Sequence, residues 1–345
     1  MYSERPIIPI VFNVDENYIP HLSVVVKSII LHNNPDNQYN LYIMYTDLKQ
    51  LSMDRIMSLS TDNVIIKFID IKKMASGIKF ESKIEHISVA TFYRLLIPKT
   101  FEEYSKVIYI DCDLVVLKDL AILYDIDLDT NLIGACRQIN SYSKNKKIKD
   151  TLGIEGIEYF NAGVLLMNLE QFRAERITEK IIDLVNSESD NFPTGDQDYL
   201  NYVCNKRVTY LDEKWNCFGT LYDMVKTAKN LSPDYIELFY RSIDHPYIVH
   251  YITEKKPWNT FDLFMGRYYW EIAKQSPFYE EILYNCFKEK ITKEKEEMKK
   301  PQIEKKRSNQ KHKQYLSKMI WCLMPRGTRR GNFVTKCYDK IHRKH

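Results

Sequence analysis

Two carboxylates separated by one residue, Asp111 and Asp113, directly follow a short apolar segment. The four β-prone residues at 107–110 predict a strand that is buried on both faces. In open α/β sheets, ligands bind in the crevice beyond the carboxyl ends of the strands. Two oxygen donors without an adjacent basic residue repel each other unless a cation joins them. The pair therefore predicts a site for a divalent metal ion.

Two other interpretations of this segment must be weighed. An Asp at the end of a strand can simply cap the next turn. Residues 111–115 also fit the strand-end pattern of phosphatases of the haloacid dehalogenase type, in which the first Asp is the nucleophile. Residues elsewhere in the chain are needed to choose between a metal site, a turn cap and a phosphatase nucleophile.

Two further segments carry candidate functional groups. Residues 193–201 predict a helix with Asp196 and Gln197 in its first turn, although a carboxylate there often only caps the helix. His250 lies in a late predicted strand at 247–251. A lone histidine is commonly structural, yet its place at a strand end could bring it to the crevice that holds Asp111.

The alternation of apolar and polar segments predicts an α/β fold with a parallel sheet at its start. The predicted strands are 7–14, 39–45, 64–69, 107–110, 114–117, 130–136, 159–168 and 247–251, and the predicted helices include 21–32, 52–59, 88–96 and 169–187. No Gly-x-Gly-x-x-Gly motif follows the first strand, which argues against a classical dinucleotide site.

Composition and cysteine usage narrow the class of protein. A chain of 345 residues, 44% of them hydrophobic, is long enough for one large domain and an appendage. Its seven cysteines are scattered and form no Cys-x-x-Cys pair, which indicates neither a disulfide framework nor a zinc site. The chain has no segment of signal-peptide form and no apolar run long enough to span a membrane. We therefore expect a cytoplasmic protein.

Six blocks of the chain, taken in order, resemble family 8 glycosyltransferases, the retaining GT-A group that includes glycogenin and the lipopolysaccharide galactosyl- and glucosyltransferases. The blocks are residues 12–18, 86–95, 109–113, 160–164, 196–198 and 250–258. The resemblance covers roughly residues 8–285 and implies a GT-A fold, a Rossmann-like mixed sheet flanked by helices. The phosphatase interpretation leaves the α/β unit before its nucleophile strand unexplained, so it is set aside.

The resemblance implies donor contacts for the residues that match the family's motifs. Asp15 and Asn17 would contact the uridine, and Arg94 would contact the sugar or the diphosphate. Lys256 would reach the diphosphate. The donor sugar would be lined by Asn161, Asp196 and Gln197. The donor is thus expected to be a UDP-hexose, with glucose or galactose as the sugar.

The resemblance also implies the metal ligands and the catalytic candidates. Asp111, Asp113 and His250 would hold Mn²⁺ or Mg²⁺, with the histidine favouring Mn²⁺. Gln197 lies where retention of configuration would ordinarily need a nucleophile. Because an amide is a poor nucleophile, a displacement on one face of the sugar is expected, and Asp196 is the alternative nucleophile.

Two positions depart from the family's pattern. Thr253 stands where the family usually has glycine, so a backbone contact to the phosphate could be altered. Gln138 and the lysine-rich segment after it replace an acidic residue on the acceptor side of the galactosyltransferases. The identity of the acceptor is therefore not carried over.

The sequence thus predicts a metal-dependent retaining hexosyltransferase that acts on lipopolysaccharide or another surface glycan. A glycogenin-like self-glucosylating primer is the alternative enzyme, because any of the 25 tyrosines could be the acceptor. A non-catalytic sugar-nucleotide-binding protein is the alternative from another class. It is disfavoured because every candidate for metal and diphosphate binding is present.

Charge is distributed unevenly along the chain. Residues 288–345 contain 19 Lys and Arg against 6 Asp and Glu, while residues 1–287 contain 31 basic and 40 acidic residues. We predict a GT-A domain at 1–265 and a helical, basic C-terminal extension at 266–345. Apolar residues at 315–324 flanked by cations predict binding to an anionic membrane surface, which places the protein at the inner face of the membrane. A nucleic-acid partner is not expected, because catalysis offers it no role.

Overall fold

The computed structural model describes residues 5–78, 89–138, 150, 152–187, 192, 195–227, 231–260 and 262–288. By its internal packing the chain divides into two compact units, Met1–Tyr284 and Asn285–His345. Most of the second unit, including the apolar cluster predicted at 315–324, lies outside the described residues. The domain boundary at 265/266 remains a prediction. Over the part of the chain that is described, no helix combines the length and the apolar character that a membrane span requires.

The first unit contains a seven-stranded sheet and a separate two-stranded sheet. The strands are β1 Ile7–Asn13, β2 Gln38–Tyr45, β3 Val64–Asp70, β4 Lys106–Ile110, β5 Leu114–Val116, β6 Ile133–Arg137, β7 Phe160–Asn168, β8 Val208–Tyr210 and β9 Ile248–His250. The large sheet has the order β3-β2-β1-β4-β7-β6-β8, and β5 pairs with β9.

Helices connect these strands and cover the sheet. The α-helices are α1 Ile19–His32, α2 Gln50–Met57, α3 Lys72–Ala75, α4 Ile97–Thr100, α5 Ala121–Tyr124, α6 Leu169–Ala174, α7 Ile177–Ser187, α8 Asp196–Val203, α9 Tyr222–Thr227, α10 Pro233–Ile243 and α11 Gly266–Ala273. Short 3₁₀ helices lie at Glu16–Tyr18, Val89–Leu96, Gly156–Glu158, Glu213–Asn216 and Gly219–Leu221.

The large sheet is mixed, and its first half is parallel as the sequence predicts. Strand β1 runs parallel to β2 and β4, and β2 runs parallel to β3. Strand β7 runs antiparallel to both β4 and β6. Parallel strands covered by helices on both faces explain the nearly continuous apolar runs of β1, β2 and β4.

Each face of the sheet has its own apolar core, because successive side chains of a strand point to opposite faces. Ile10 and Phe12 of β1 belong to one core, with residues of α1, β5, β9 and α11. Val11 belongs to the other, with residues of α6, α7 and α8. The sheet thereby fixes the carboxyl ends of β1 and β4 between two packed layers.

Two helix predictions are wrong in detail. The helix predicted at 88–96 is a 3₁₀ helix over Val89–Leu96. The helix predicted at 169–187 is interrupted, because Arg176 has a φ of 54°. A residue in this left-handed region cannot continue a right-handed helix, so α6 ends at Ala174 and α7 begins at Ile177.

One histidine joins α1 to α11. The ring of His21 stacks on Trp258 with 3.6 Å between ring centroids, and its Nδ1 lies 2.7 Å from the hydroxyl of Tyr269. The pKa of His21 is lowered to about 3, chiefly by burial and in smaller part by Lys256, while Asp113 acts in the opposite direction. His21 is therefore neutral in the folded protein at pH 7.

We expect this histidine to make the fold sensitive to acid. An unfolded chain protonates His21 near its ordinary pKa of 6.5, whereas the folded chain does so only near 3. Stability therefore falls as the pH drops below 6.5, because the unfolded state binds more protons. In His21→Gln, the loss of unfolding free energy between pH 7 and pH 5 should be smaller by about 1 to 2 kcal/mol. Urea unfolding at both pH values measures this, and equal losses in both proteins would contradict it.

Candidate active site

Strand pairing delivers three candidate ligands to one place. Asp111 directly follows β4, and its N–H donates to the carbonyl of Gly163 in β7 at 2.9 Å. Leu114 of β5 lies opposite His250 in the antiparallel pair with β9. The N–H of Tyr251 donates to the carbonyl of Asp113 at 2.9 Å. The late strand is therefore tied to the Asp-x-Asp segment by backbone hydrogen bonds.

Asp111, Asp113 and His250 form a cluster with the chemistry of a metal site. His250 Nε2 lies 3.0 Å from Asp113 Oδ1 and 3.8 Å from Asp111 Oδ2. One ligand atom from each side chain lies within 4.8 Å of the others. Two carboxylates and an imidazole suit Mn²⁺ or Mg²⁺, so the residues present fit the predicted cofactor.

The cluster depends on a glycine in the neighbouring strand. A Cβ built on Gly163 would lie 2.2 Å from His250 Cε1 and 2.7 Å from Asp111 Oδ2. Real Cβ atoms do not approach other atoms so closely, so a side chain at this position would displace the imidazole. Glycine in β7 is the condition for placing the histidine beside Asp111.

Lys256 holds the second oxygen of Asp113. Its Nζ lies 2.5 Å from Asp113 Oδ2 and donates to the carbonyl of Tyr251 at 2.6 Å. Burial raises the pKa of Asp113, but its contacts with Lys256 and His250 outweigh burial and hold that pKa below its usual range. Asp113 is therefore ionised, with Oδ1 directed at His250 and Oδ2 held by the lysine.

Arg94 occupies the interior beside this cluster with only 3% of its surface exposed. Its Nη2 lies 2.8 Å from Asp111 Oδ1, and its Nε lies 3.0 Å from Asp196 Oδ2. It also donates to the carbonyl of Ala162 and lies over the ring of Tyr109, 4.4 Å from the centroid. In this structure Arg94 thus binds protein groups, and its contact with a donor remains a prediction.

Burial acts on both partners of the Arg94–Asp196 pair. It lowers the pKa of Arg94, but Asp111 and Asp196 more than compensate and raise that pKa above its usual value. Burial raises the pKa of Asp196 by more than Arg94 lowers it. Asp196, the alternative nucleophile, is thus paired with the buried guanidinium of Arg94.

Gln197 lies against the start of β7 and uses both ends of its amide there. Its Oε1 accepts from Ala162 N at 3.0 Å and from Asn161 Nδ2 at 3.1 Å. Its Nε2 donates to the hydroxyl of Tyr159 at 3.1 Å. Two of the three predicted donor-sugar residues, Asn161 and Gln197, are therefore in direct contact.

The predicted uridine residues lie just after β1. Asp15 Oδ1 accepts from Asn17 N at 3.0 Å and from Tyr18 N at 3.2 Å, which caps the 3₁₀ helix Glu16–Tyr18. Because β1 is parallel to β4, this capped turn leaves the same edge of the sheet as Asp111. Contact with a nucleotide remains a prediction for Asp15 and Asn17.

Asn216 is the site residue that sequence reasoning misses. Its Oδ1 lies 2.8 Å from His250 Nδ1, and its Nδ2 lies 2.8 Å from Asn161 Oδ1. The only local signal is its place at the end of the segment Glu213–Asn216, directly before Cys217, which pairs with β9. Nothing in that pattern indicates contact with a predicted ligand.

We expect Gly163→Ala to disrupt the cluster while leaving most of the sheet intact. The added methyl group must displace His250 or Asp111, so affinity for Mn²⁺ should fall by about 10-fold or more. Titration with Mn²⁺, followed by electron paramagnetic resonance of the free ion, measures this. Gly77→Ala is the matched control, because a Cβ there meets no atom within 4 Å. Equal Mn²⁺ affinity of the two variants would contradict the assigned ligand set.

The chain is similar to known proteins over most of its length. The family model described as glycosyl transferase family 8 matches residues 9–262. General stress protein A of Bacillus subtilis is 28% identical over 259 residues, which are 74% of this chain and 88% of that protein. Glycosyltransferase GlyE of Streptococcus pneumoniae serotype 4 is 31% identical over 264 residues. These residues are 76% of this chain, but the match spans only 59% of GlyE.

A solved structure supports the same assignment. The crystal structure of galactosyltransferase LgtC, in complex with donor and acceptor sugar analogs, matches with a TM-score of 0.67 and 26% identity. The match covers 78% of this chain and 96% of LgtC. The predicted GT-A fold, a mixed sheet flanked by helices, is thereby confirmed. Because the family model covers well over half of its residues, this chain belongs to glycosyltransferase family 8.

Proposed function

We propose that this glycosyltransferase is a metal-dependent, retaining enzyme that moves a hexose from a UDP-hexose to a glycan acceptor. The observation that carries the proposal is the convergence of Asp111, Asp113 and His250, with ligand atoms within 4.8 Å of one another. LgtC, which has been crystallised with donor and acceptor sugar analogs, supports a sugar donor and a glycan acceptor for this chain as well.

The chemistry requires positive charge where the donor breaks. Cleavage of the bond between the sugar and UDP leaves negative charge on the diphosphate. A bound Mn²⁺ or Mg²⁺ would act there as a Lewis acid. Lys256 adds a cation next to Asp113, and preorganised charge of this kind stabilises the leaving group without reorganisation. Asp15 and Asn17 are assigned to the uridine, which completes the donor site.

The hydrogen bonds of Gln197 and Asp196 favour displacement on one face of the sugar. The oxygen of Gln197 already accepts two N–H groups, which further weakens it as a nucleophile. The carboxylate of Asp196 is paired with Arg94. We therefore assign Gln197 to positioning the donor and to stabilising the developing sugar cation. The active site of LgtC also contains a glutamine, which a solved structure has replaced by glutamate.

The acceptor in this proposal is lipopolysaccharide or another surface glycan, and glucose or galactose is the transferred sugar. Release of UDP distinguishes this function from a non-catalytic binding protein, and the molecule that receives the sugar distinguishes it from a primer, which also releases UDP. A glycogenin-like primer would attach the labelled sugar to its own tyrosine. A non-catalytic binding protein would retain UDP-sugar without releasing UDP.

We expect UDP release from UDP-glucose or UDP-galactose in Mn²⁺, with water or an added glycan as the acceptor. Asp113→Asn should lower this release by at least about 100-fold, because it replaces a proposed ligand of the metal ion that would stabilise the leaving group. Circular dichroism should show an unchanged fold. Asp54→Asn is the matched control, because Asp54 is an exposed residue of α2. Full turnover in EDTA, or in Asp113→Asn, would refute the metal-dependent mechanism.

We further propose that residues 288–345 attach the enzyme to the inner face of the membrane. Basic side chains near an anionic leaflet contribute on the order of 1 kcal/mol each, and the apolar residues at 315–324 could enter the interface. Attachment would bring the active site to a lipid-linked acceptor. This proposal rests on the sequence, since 289–345 lie outside the described residues.

Deletion of residues 288–345 should abolish co-sedimentation with anionic liposomes and leave UDP release unchanged. Replacement of Arg326, Arg329 and Arg330 by glutamine in the full chain should weaken the same binding, and added salt should weaken it in the natural protein. Neutral phosphatidylcholine liposomes are the control. Unchanged sedimentation after deletion would refute the attachment, and loss of UDP release would show that the segment supports the fold.

A further inference from the structure

Asn216 lies between the two halves of the proposed active site and is only 1% exposed. It ends the 3₁₀ helix Glu213–Asn216, and the next residue, Cys217, is hydrogen-bonded to β9. Its side chain contacts His250 on one side and Asn161 on the other, each at 2.8 Å. Because both the oxygen and the nitrogen of this buried amide contact site residues, the partners decide which of the two atoms faces His250.

The backbone of β7 determines which way this amide points. Gly163 N–H lies 2.9 Å from the side-chain atom of Asn161 assigned as Oδ1. A backbone N–H can only donate, so this atom of Asn161 must be oxygen. The atom of Asn216 that faces it must then be the nitrogen, because two amide oxygens cannot share a hydrogen bond. Asn216 therefore presents its oxygen to His250.

This orientation determines the proton on His250. An amide oxygen only accepts hydrogen bonds, so Nδ1 of His250 must carry a proton to donate. Because Nδ1 keeps its proton, Nε2 is the ring nitrogen whose lone pair can bind a metal ion, and it is the atom that faces Asp113 and Asp111. Histidines that bind metals characteristically donate their other N–H to such a partner, which fixes the ring and its tautomer.

We propose that Asn216 is a positioning residue that holds His250 in the tautomer able to bind the metal ion. The inference rests on the metal dependence proposed above. The same hydrogen bonds connect the metal cluster to the residues proposed to contact the donor sugar, because Asn161 donates to Gln197 Oε1 from the other end of its amide. His250, Asn216, Asn161 and Gln197 thus form one hydrogen-bonded series whose directions are set by the N–H groups of Gly163 and Ala162.

The first test measures Mn²⁺ affinity in the presence of UDP by electron paramagnetic resonance of the free ion. Asn216→Leu removes the acceptor at similar volume and should weaken Mn²⁺ binding by about 10-fold or more. Asn216→Asp still accepts from Nδ1 but loses the N–H that donates to Asn161 Oδ1, so it should recover only part of the affinity. Asn40→Leu is the matched control, because Asn40 is a buried asparagine of β2 that hydrogen-bonds to Tyr104. It should leave Mn²⁺ affinity unchanged.

The second test asks whether Asn216 acts through His250. In a His250→Ala background, Asn216→Leu should cause no further loss of Mn²⁺ affinity, whereas a general packing defect would add its own loss. Nitrogen NMR of the natural protein, with ¹⁵N-labelled histidine, Mg²⁺ and UDP, reads the tautomer directly. It should show a proton on Nδ1 of His250 and none on Nε2, with the resonance assigned through His250→Ala.

The outcomes separate this inference from the proposed function. If the natural protein binds no Mn²⁺ with UDP, both fail. If it binds Mn²⁺ and folded Asn216→Leu binds equally well, only the role of Asn216 fails. A proton on Nε2 in the Mg²⁺ complex would overturn the inference even if Asn216→Leu does not fold.

Discussion

The site is governed by the cost of holding several charges in a poorly hydrated interior. A buried ion pair is stable only when each charge has partners of good geometry, and loss of one partner typically costs about 3 to 5 kcal/mol. Arg94 meets this condition by lying between Asp111 and Asp196, while Lys256 pairs with Asp113. Each carboxylate of the Asp-x-Asp segment thus has one oxygen held by a cation from the protein. The second oxygen of each carboxylate is directed toward His250, so the protein's own cations leave one oxygen per carboxylate for a metal ion.

The topology of the sheet explains why these groups meet. Strand β4 pairs in parallel with β1 on one side and antiparallel with β7 on the other. The carboxyl end of β4 therefore lies beside the amino end of β7, and Asp111 lies next to Gly163. Such a change in strand arrangement opens a crevice at the edge of the sheet, where ligands of α/β proteins bind. The same amino end of β7 supplies the N–H groups that orient Asn161 and Gln197.

The sequence predicts those parts of the molecule that local pattern determines. Apolar runs mark β1, β2 and β4, and polar residues after a buried strand mark Asp111 and Asp113 as site residues. The break at Arg176 is not visible in the pattern, because the apolar spacing of α6 continues into α7 although the backbone reverses its φ. Asn216 is equally hidden, since its place beside His250 and Asn161 depends on the pairing of Cys217 with β9, which is a contact between segments distant in sequence. The break at Arg176 and the position of Asn216 therefore could not be predicted from the sequence, because both depend on tertiary contacts.

Thr253 has a backbone conformation that threonine disfavours, and the contacts at the two ends of the segment 251–256 impose it. The family's usual glycine is absent here, yet Thr253 has a φ of 74°, a region that β-branched residues rarely adopt. The backbone must turn within five residues after Tyr251 so that Lys256 can return to the carbonyl of Tyr251 and to Asp113. Thr253 Oγ1 accepts from Lys255 N at 3.3 Å, which partly compensates for the strain. Because such strain typically costs about 1 to 3 kcal/mol, the fold retains it only where surrounding contacts determine the turn. The contact between Lys256 and Asp113 is thus maintained against the local preference of the chain, which is consistent with the role proposed for Lys256 beside the diphosphate.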